Sequence, residues 1–170
     1  MLHKERETIM KKFNVAIVGA TGLVGQELLD TLEKRQFPIE TIELLASEKS
    51  AGQVLMFNQK PVKVKALTEE SFKNIDFALF SAGSSISEKF APIAAKAGAV
   101  VIDNTSFFRM KKDVPLVVPE VNGEATKNHN GIIANPNCST AQLVMALKPI
   151  HDEFNIERVV ISTYQSVSGA

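Results

Sequence analysis

Apolar residues come in short blocks separated by polar or glycine-containing breaks, and the period inside each block decides which element it predicts. Residues 13–18 are a continuous β-branched and apolar run, the pattern of a strand buried on both faces. The run passes straight into glycines at 19, 22 and 25, after which Leu28, Leu29 and Leu32 recur at helical spacing until Pro38 prevents continuation. Residues 39–45 predict a second strand, and residues 53–67 two short strands with Asn58 and Pro61 near their turn. Residues 74–83 predict a strand running into a small-residue loop, residues 87–98 a helix closed by Gly98, and residues 99–106 another strand and polar loop. Two short apolar pieces follow at 115–122 and 131–137, then a helix over 139–154 and a last strand over 157–166.

Strand and helix alternate from residue 13 to about 103, which favours right-handed βαβ units and a mostly parallel sheet, an α/β fold. The chain stops at Ala170, directly after the apolar block at 157–166 and with nothing to cover it. That predicts a cofactor-size domain over 13–136 followed by the truncated start of a second, α+β domain over 137–170. The uncovered block is expected to be poorly ordered or to pair with another chain.

Composition narrows the partners. With 19 basic and 19 acidic residues there is no basic excess to hold nucleic acid or a membrane surface. No apolar run approaches the roughly 20 residues that span a bilayer. Residues 1–12 are too charged to hold a signal-peptide core and read as a loose leader. A single cysteine forms no internal disulfide, which fits a cytoplasmic location, and no metal site is expected.

The glycine turn carries the first chemistry. Gly19, Gly22 and Gly25 sit between a strand and a helix, with Thr21, Leu23 and Val24 in the same segment. Glycine there allows a tight turn, close approach of backbone to a pyrophosphate, and close helix packing, while the helix N-terminus offers free N–H groups and positive dipole. Glycine also suits ordinary strand-to-helix turns; the strand before and the helix after single out the dinucleotide reading of a Rossmann-type, doubly wound fold. A P-loop is excluded, since no Gly-Lys-Ser/Thr follows. At the end of the second strand Ser47, Lys49 and Ser50 offer hydroxyls and an ammonium, which favour the 2′-phosphate of NADP; if Glu48 faces inward instead, NAD is the better match.

Cys138 follows Pro136 and Asn137 and precedes a helical run, with Asn137 or Ser139 available to cap it. A thiol at a helix N-terminus is favoured as thiolate. Position alone leaves a reactive and an inert thiol level, and a nicotinamide site in the same chain tips the balance, because thiolate and hydride together suit acyl reduction.

The stretches NVAIVGATGLVGQELL, LLASEKSAG, FSAGSSISEKFAP, VIDNTSFFRM, VPLVVPEVN, NPNCST and YQSVSGA together resemble the aspartate-β-semialdehyde dehydrogenases over residues 13–170. The resemblance implies that Cys138 attacks β-aspartyl phosphate, that inorganic phosphate leaves, and that the thioester takes hydride from NADPH. It further implies that Gln165 orients the intermediate and that Arg109, with Asn137, binds substrate, the arginine meeting phosphate through two parallel hydrogen bonds. Ser81, Ala82, Gly83 and Asn104 would line the nicotinamide side, with Ser168 and Gly169 also on the cofactor; Glu120 and Asn122 read as structural at least as readily. Such enzymes are cytoplasmic homodimers in the branch leading to lysine, methionine and threonine.

Two departures accompany the resemblance. Lys49 stands where the family often has arginine, and the family's acid–base histidine and carboxylate-binding arginine lie beyond residue 170. His3, His129 and His151 read as surface residues, so the fragment is expected to have little or no activity alone. Short-chain dehydrogenases fail as a rival, because Tyr164 has Ser168 rather than lysine four residues on. N-acetyl-γ-glutamyl-phosphate reductase, and a non-catalytic dinucleotide-binding module, stay as alternatives.

Overall fold

Valine, alanine and isoleucine alternate with no polar residue from 15 to 18, and a strand of that kind has to be covered on both sides. The computed structural model, which describes residues 11–165, places β1 (Phe13–Val18) in the interior of the sheet with Val15, Ala16, Ile17 and Val18 buried. Helix α1 (Leu23–Lys34) and strand β2 (Ile39–Ala46) follow, then a separate antiparallel hairpin of β3 (Val54–Phe57) and β4 (Lys60–Lys63). Asn58 and Gln59 both take positive φ at its two-residue turn, and Pro61 falls just inside β4. Next come β5 (Lys65–Ala66), β6 (Phe77–Phe80), α2 (Ser84–Lys96), β7 (Val100–Asp103), the short α3 (Pro119–Asn122), β8 (Ile132–Ala134) and α4 (Cys138–Phe154).

The main sheet runs β5-β2-β1-β6-β7-β8 with every pairing parallel. Strand alternation sends Ala16 and Val18 into a core with Phe90, Ala91 and Ala94 of α2, and Ile17 into a second core with Leu29 of α1. Helices therefore cover opposite faces, the doubly wound arrangement expected. β2 and β6 lie on opposite sides of β1, so the winding reverses there and the loops after β1 and β6 part at the carboxyl ends of the strands, where such sheets bind ligands.

The expected strand over 157–166 is not formed. Residues 155–165 carry no regular structure and every residue from 157 to 165 is exposed; residue 166 lies outside the described part. A strand needs a free edge, and the outer side of β8 is taken. Ala134 N–H donates to the Pro115 carbonyl at 2.9 Å and Val117 N–H to the Ala134 carbonyl at 3.0 Å. The apolar pattern specified a buried strand, but among the described residues the block is paired with none of the strands. No residue of α4 is buried, and no helix among the described residues is long and apolar enough to cross a membrane. The leader expected over 1–12 lies, up to residue 10, outside the described part, as do Ser168 and Gly169.

Candidate active site

Each glycine of the first turn has its own reason. Gly19 has φ +91°, and a Cβ there would come within 3.0 Å of the Ser81 and Ala82 backbone, so the loops after β1 and β6 approach only because no side chain intervenes. A Cβ on Gly25 would stand 2.2 Å from the Gly19 carbonyl oxygen, so its absence lets α1 seat on the turn. Gly22 caps α1 with no side-chain hydrogen bond, and the N–H groups of Leu23, Val24 and Gly25 have no carbonyl within their own helix to bond. Gly83, φ +93°, caps α2 in the same uncapped way. Both helix ends open on a groove of about 520 Å³ bordered by Gly19, Thr21, Gly22, Ser47, Ser81 and Gly83, with Ile86 and Phe90 as apolar lining. Bare N–H donors, two positive helix ends and missing Cβ atoms suit a dinucleotide pyrophosphate. Ser47 borders this groove. Glu48 and Lys49 are both exposed on the turn that follows, where Ser50 N–H closes onto the Ser47 carbonyl at 3.0 Å.

The cysteine turn lies at the carboxyl end of β8. Asn137 caps α4: its Oδ1 accepts from Ser139 N–H at 3.0 Å, from Ser139 Oγ at 2.7 Å and from Cys138 Sγ at 3.8 Å. The thiol is exposed at the first position of the helix. The Asn137 amide donates to Gln165 Oε1 at 3.2 Å, which brings Asn137, Cys138 and Gln165 into one neighbourhood.

Arg109 is half-buried. Its Nε donates to the Asn135 carbonyl at 2.9 Å and its Nη2 to the Asn104 carbonyl at 3.1 Å. Those two groups form the side-on edge of the guanidinium, so an anion bound by Arg109 would meet the end-on edge, Nη1 with the remaining Nη2 hydrogen. Asn135 Nδ2 donates to Asn104 Oδ1 at 2.6 Å.

Beneath this cluster Asp103 is fully buried. Its Oδ1 accepts from Ser87 Oγ of α2 at 2.8 Å and from Thr105 N–H at 3.0 Å, and its Oδ2 accepts from Thr105 Oγ1 at 2.9 Å. Ser84 and Ser106 meet at 3.0 Å, a further tie between the start of α2 and the loop after β7. Sequence reasoning passed over Asp103 and Asn135. The available signals were an acid closing an apolar strand and a second asparagine two residues before the first. His129 is half-buried and accepts from Gly131 N–H in a local turn, and His151 is exposed late in α4. Among the described residues no group of three or more His, Cys, Asp or Glu could hold a metal ion.

Fold and groove together define a nicotinamide-dinucleotide-binding domain of the Rossmann type. The chain belongs to the family described as semialdehyde dehydrogenase, NAD binding domain, which it matches over residues 14–129. It is 60% identical over 164 residues to an aspartate-semialdehyde dehydrogenase of Campylobacter jejuni, an alignment covering 94% of this chain and 48% of that protein. Among solved structures it is similar to aspartate semialdehyde dehydrogenase II of Vibrio cholerae, with a TM-score of 0.90 and 56% identity over 94% of this chain and 48% of that one. It is also similar to the Candida albicans enzyme with NADP, with a TM-score of 0.74 and 29% identity over 86% and 48%. The chain spans about half the length of the curated relatives it matches.

Proposed function

We propose that the chain supplies the dinucleotide domain and the nucleophile of an NADPH-dependent enzyme that converts β-aspartyl phosphate to aspartate β-semialdehyde and inorganic phosphate. Cys138 Sγ attacks the acyl carbon, the bond from that carbon to the phosphate oxygen breaks, and the acyl group stays on sulfur as a thioester. Reduction releases it as the aldehyde and returns the thiolate. When bound, the reduced nicotinamide supplies the hydride.

The chain's own residues divide the remaining work. Gly19, Thr21, Gly22, Leu23, Val24 and Gly25 hold the pyrophosphate through the open first turn of α1. Ser47, Lys49 and Ser50 hold the adenosine ribose end, where hydroxyl and ammonium groups favour a 2′-phosphate. Ser81, Ala82, Gly83 and Asn104 line the nicotinamide side. Arg109 takes the substrate phosphate on its end-on edge, and Gln165 orients the acyl group. Asn137 serves both the helix and the substrate.

The observation that carries this reading is the bridge made by Asn137, whose side chain joins an exposed thiol to a glutamine 28 positions away in sequence. The names of the relatives and the NADP in the fungal structure support the same choice of substrate and cofactor. Residues 13–136 form the cofactor domain in this account, and 137–170 open a second domain that is catalytic and dimer-forming. The unburied α4 and the exposed Val159, Val160 and Ile161 support that division. The reaction runs in the cytoplasm on a homodimer. His151 lies about 20 Å along α4 from Cys138 at 1.5 Å per residue, too far to exchange a proton with it. The chain alone should therefore turn over little.

Single-turnover mass spectrometry tests the chemistry. Incubation with β-aspartyl phosphate should place one aspartyl group on Cys138 and release one phosphate, and Cys138→Ser should lose both while still binding NADPH. NADPH binding without acylation or phosphate release would leave a dinucleotide-binding module instead. Faster acylation by N-acetyl-γ-glutamyl phosphate would move the chain to that sister activity.

A further inference from the structure

Asn135 is where the cofactor side and the thiol side of the groove meet. Its N–H donates to the Asp103 carbonyl at 2.8 Å, its Nδ2 to Asn104 Oδ1 at 2.6 Å, and its carbonyl accepts from Arg109 Nε at 2.9 Å. Arg109 Nη2 reaches the Asn104 carbonyl at 3.1 Å, so Asn104, Arg109 and Asn135 close a ring in which each touches the other two. The pairing of β7 with β8 stops at Asp103 and Ala134. Beyond Asn135 comes Pro136, which has no N–H to offer, and then Asn137 and Cys138. Asn135 is therefore the last residue before the sulfur-bearing turn that is tied to the loop after β7, by its side chain to Asn104 and by its carbonyl to Arg109.

We propose that Asn135 is a positioning residue whose side-chain amide sets the spacing between the Arg109 guanidinium and the Cys138 thiol, so that one acyl phosphate meets both. The proposal rests on the roles given above to Arg109 and Cys138. Replacing Asn135 by alanine leaves its carbonyl in place for Arg109 and removes only the bond to Asn104. The effect is thus one on spacing and mobility, not on the inventory of charge.

The test is the rate of Cys138 alkylation by iodoacetamide as inorganic phosphate is raised, in the 170-residue chain, at a temperature where circular dichroism shows every variant folded. Phosphate should protect the wild-type thiol, and Arg109→Met should abolish that protection. Asn135→Ala should raise the phosphate midpoint about fivefold, the worth of one fixed hydrogen bond, with the phosphate-free alkylation rate unchanged. Asn135→Gln, which keeps the donor on a longer arm, should fall between the two. A residue of purely structural importance would lower the melting temperature and leave the midpoint alone; that result overturns the proposal and spares the function assigned to the site. Absence of phosphate protection in the wild type, or its survival in Arg109→Met, overturns the roles of Arg109 and Cys138 and this inference with them.

Discussion

Gly25→Ala adds one methyl group where the structure leaves no room for it. The new Cβ would lie 2.2 Å from the Gly19 carbonyl oxygen, 2.7 Å from Ala20 Cα and 2.9 Å from the Ala20 carbonyl carbon. All three obstacles are main chain, so no rotamer change relieves them. Restoring an ordinary contact of 3.4 Å from 2.2 Å requires α1 and the turn to separate by 1.2 Å along that line. Overpacking of this kind costs about 3 kcal/mol at the upper end of its range, and better helix propensity returns about 1 kcal/mol. The net loss of about 2 kcal/mol corresponds to a melting temperature about 4–8 °C lower for a chain of this size. The same retreat moves the N–H groups of Leu23, Val24 and Gly25 off the pyrophosphate, and losing one charge-assisted bond weakens NADPH more than about tenfold. Gly123→Ala is the matched control: φ is −52° and its Cβ would meet nothing within 4 Å. That variant should be neutral, or more stable by up to about 1 kcal/mol through restriction of the unfolded chain. Thermal denaturation by circular dichroism and NADPH fluorescence titration read both effects. If Gly25→Ala melts and binds as wild type does, the close seating of α1 on the turn is not what the glycine serves.

Other substitutions follow from the same geometry. Asp103→Ala should destabilise by about 3–4 kcal/mol in urea titration, because it strands the buried Ser87 and Thr105 donors; Asp103→Asn, which can keep most of those bonds, should lose only about 1 kcal/mol. Glu43→Gln breaks the Lys65 ion pair on an exposed face, where the lysine side chain is 61% accessible, and should change stability by less than about 0.5 kcal/mol. Val160→Asp, at a side chain 88% exposed, should leave the melting temperature of the chain within the equivalent of about 0.5 kcal/mol.

The fold was legible wherever a local pattern and its tertiary consequence coincide. An unbroken apolar run at 15–18 has to be central, and a glycine series between strand and helix has to be a tight turn, so β1, α1 and the doubly wound order could be read directly. The apolar block at 157–166 shows the limit. Its composition states a preference for burial, but pairing depends on an edge that residues 115–117 already occupy. The site divides in the same way. Cys138 is visible because a capping asparagine and a helix adjoin it. Asn135 is not, because its partner lies 31 positions away and no periodicity joins two loop amides. Arg109 could be flagged as a cation, but which edge of its guanidinium is spoken for depends on two carbonyls from separate loops.

The closure of β8 by residues 115–117 reaches beyond one missing strand. At that margin an intruding peptide finds no row of free amides to copy, and the opposite margin, β5, is two residues long and carries a lysine. Among the described residues the six-stranded sheet is thus guarded against templated growth at both rims.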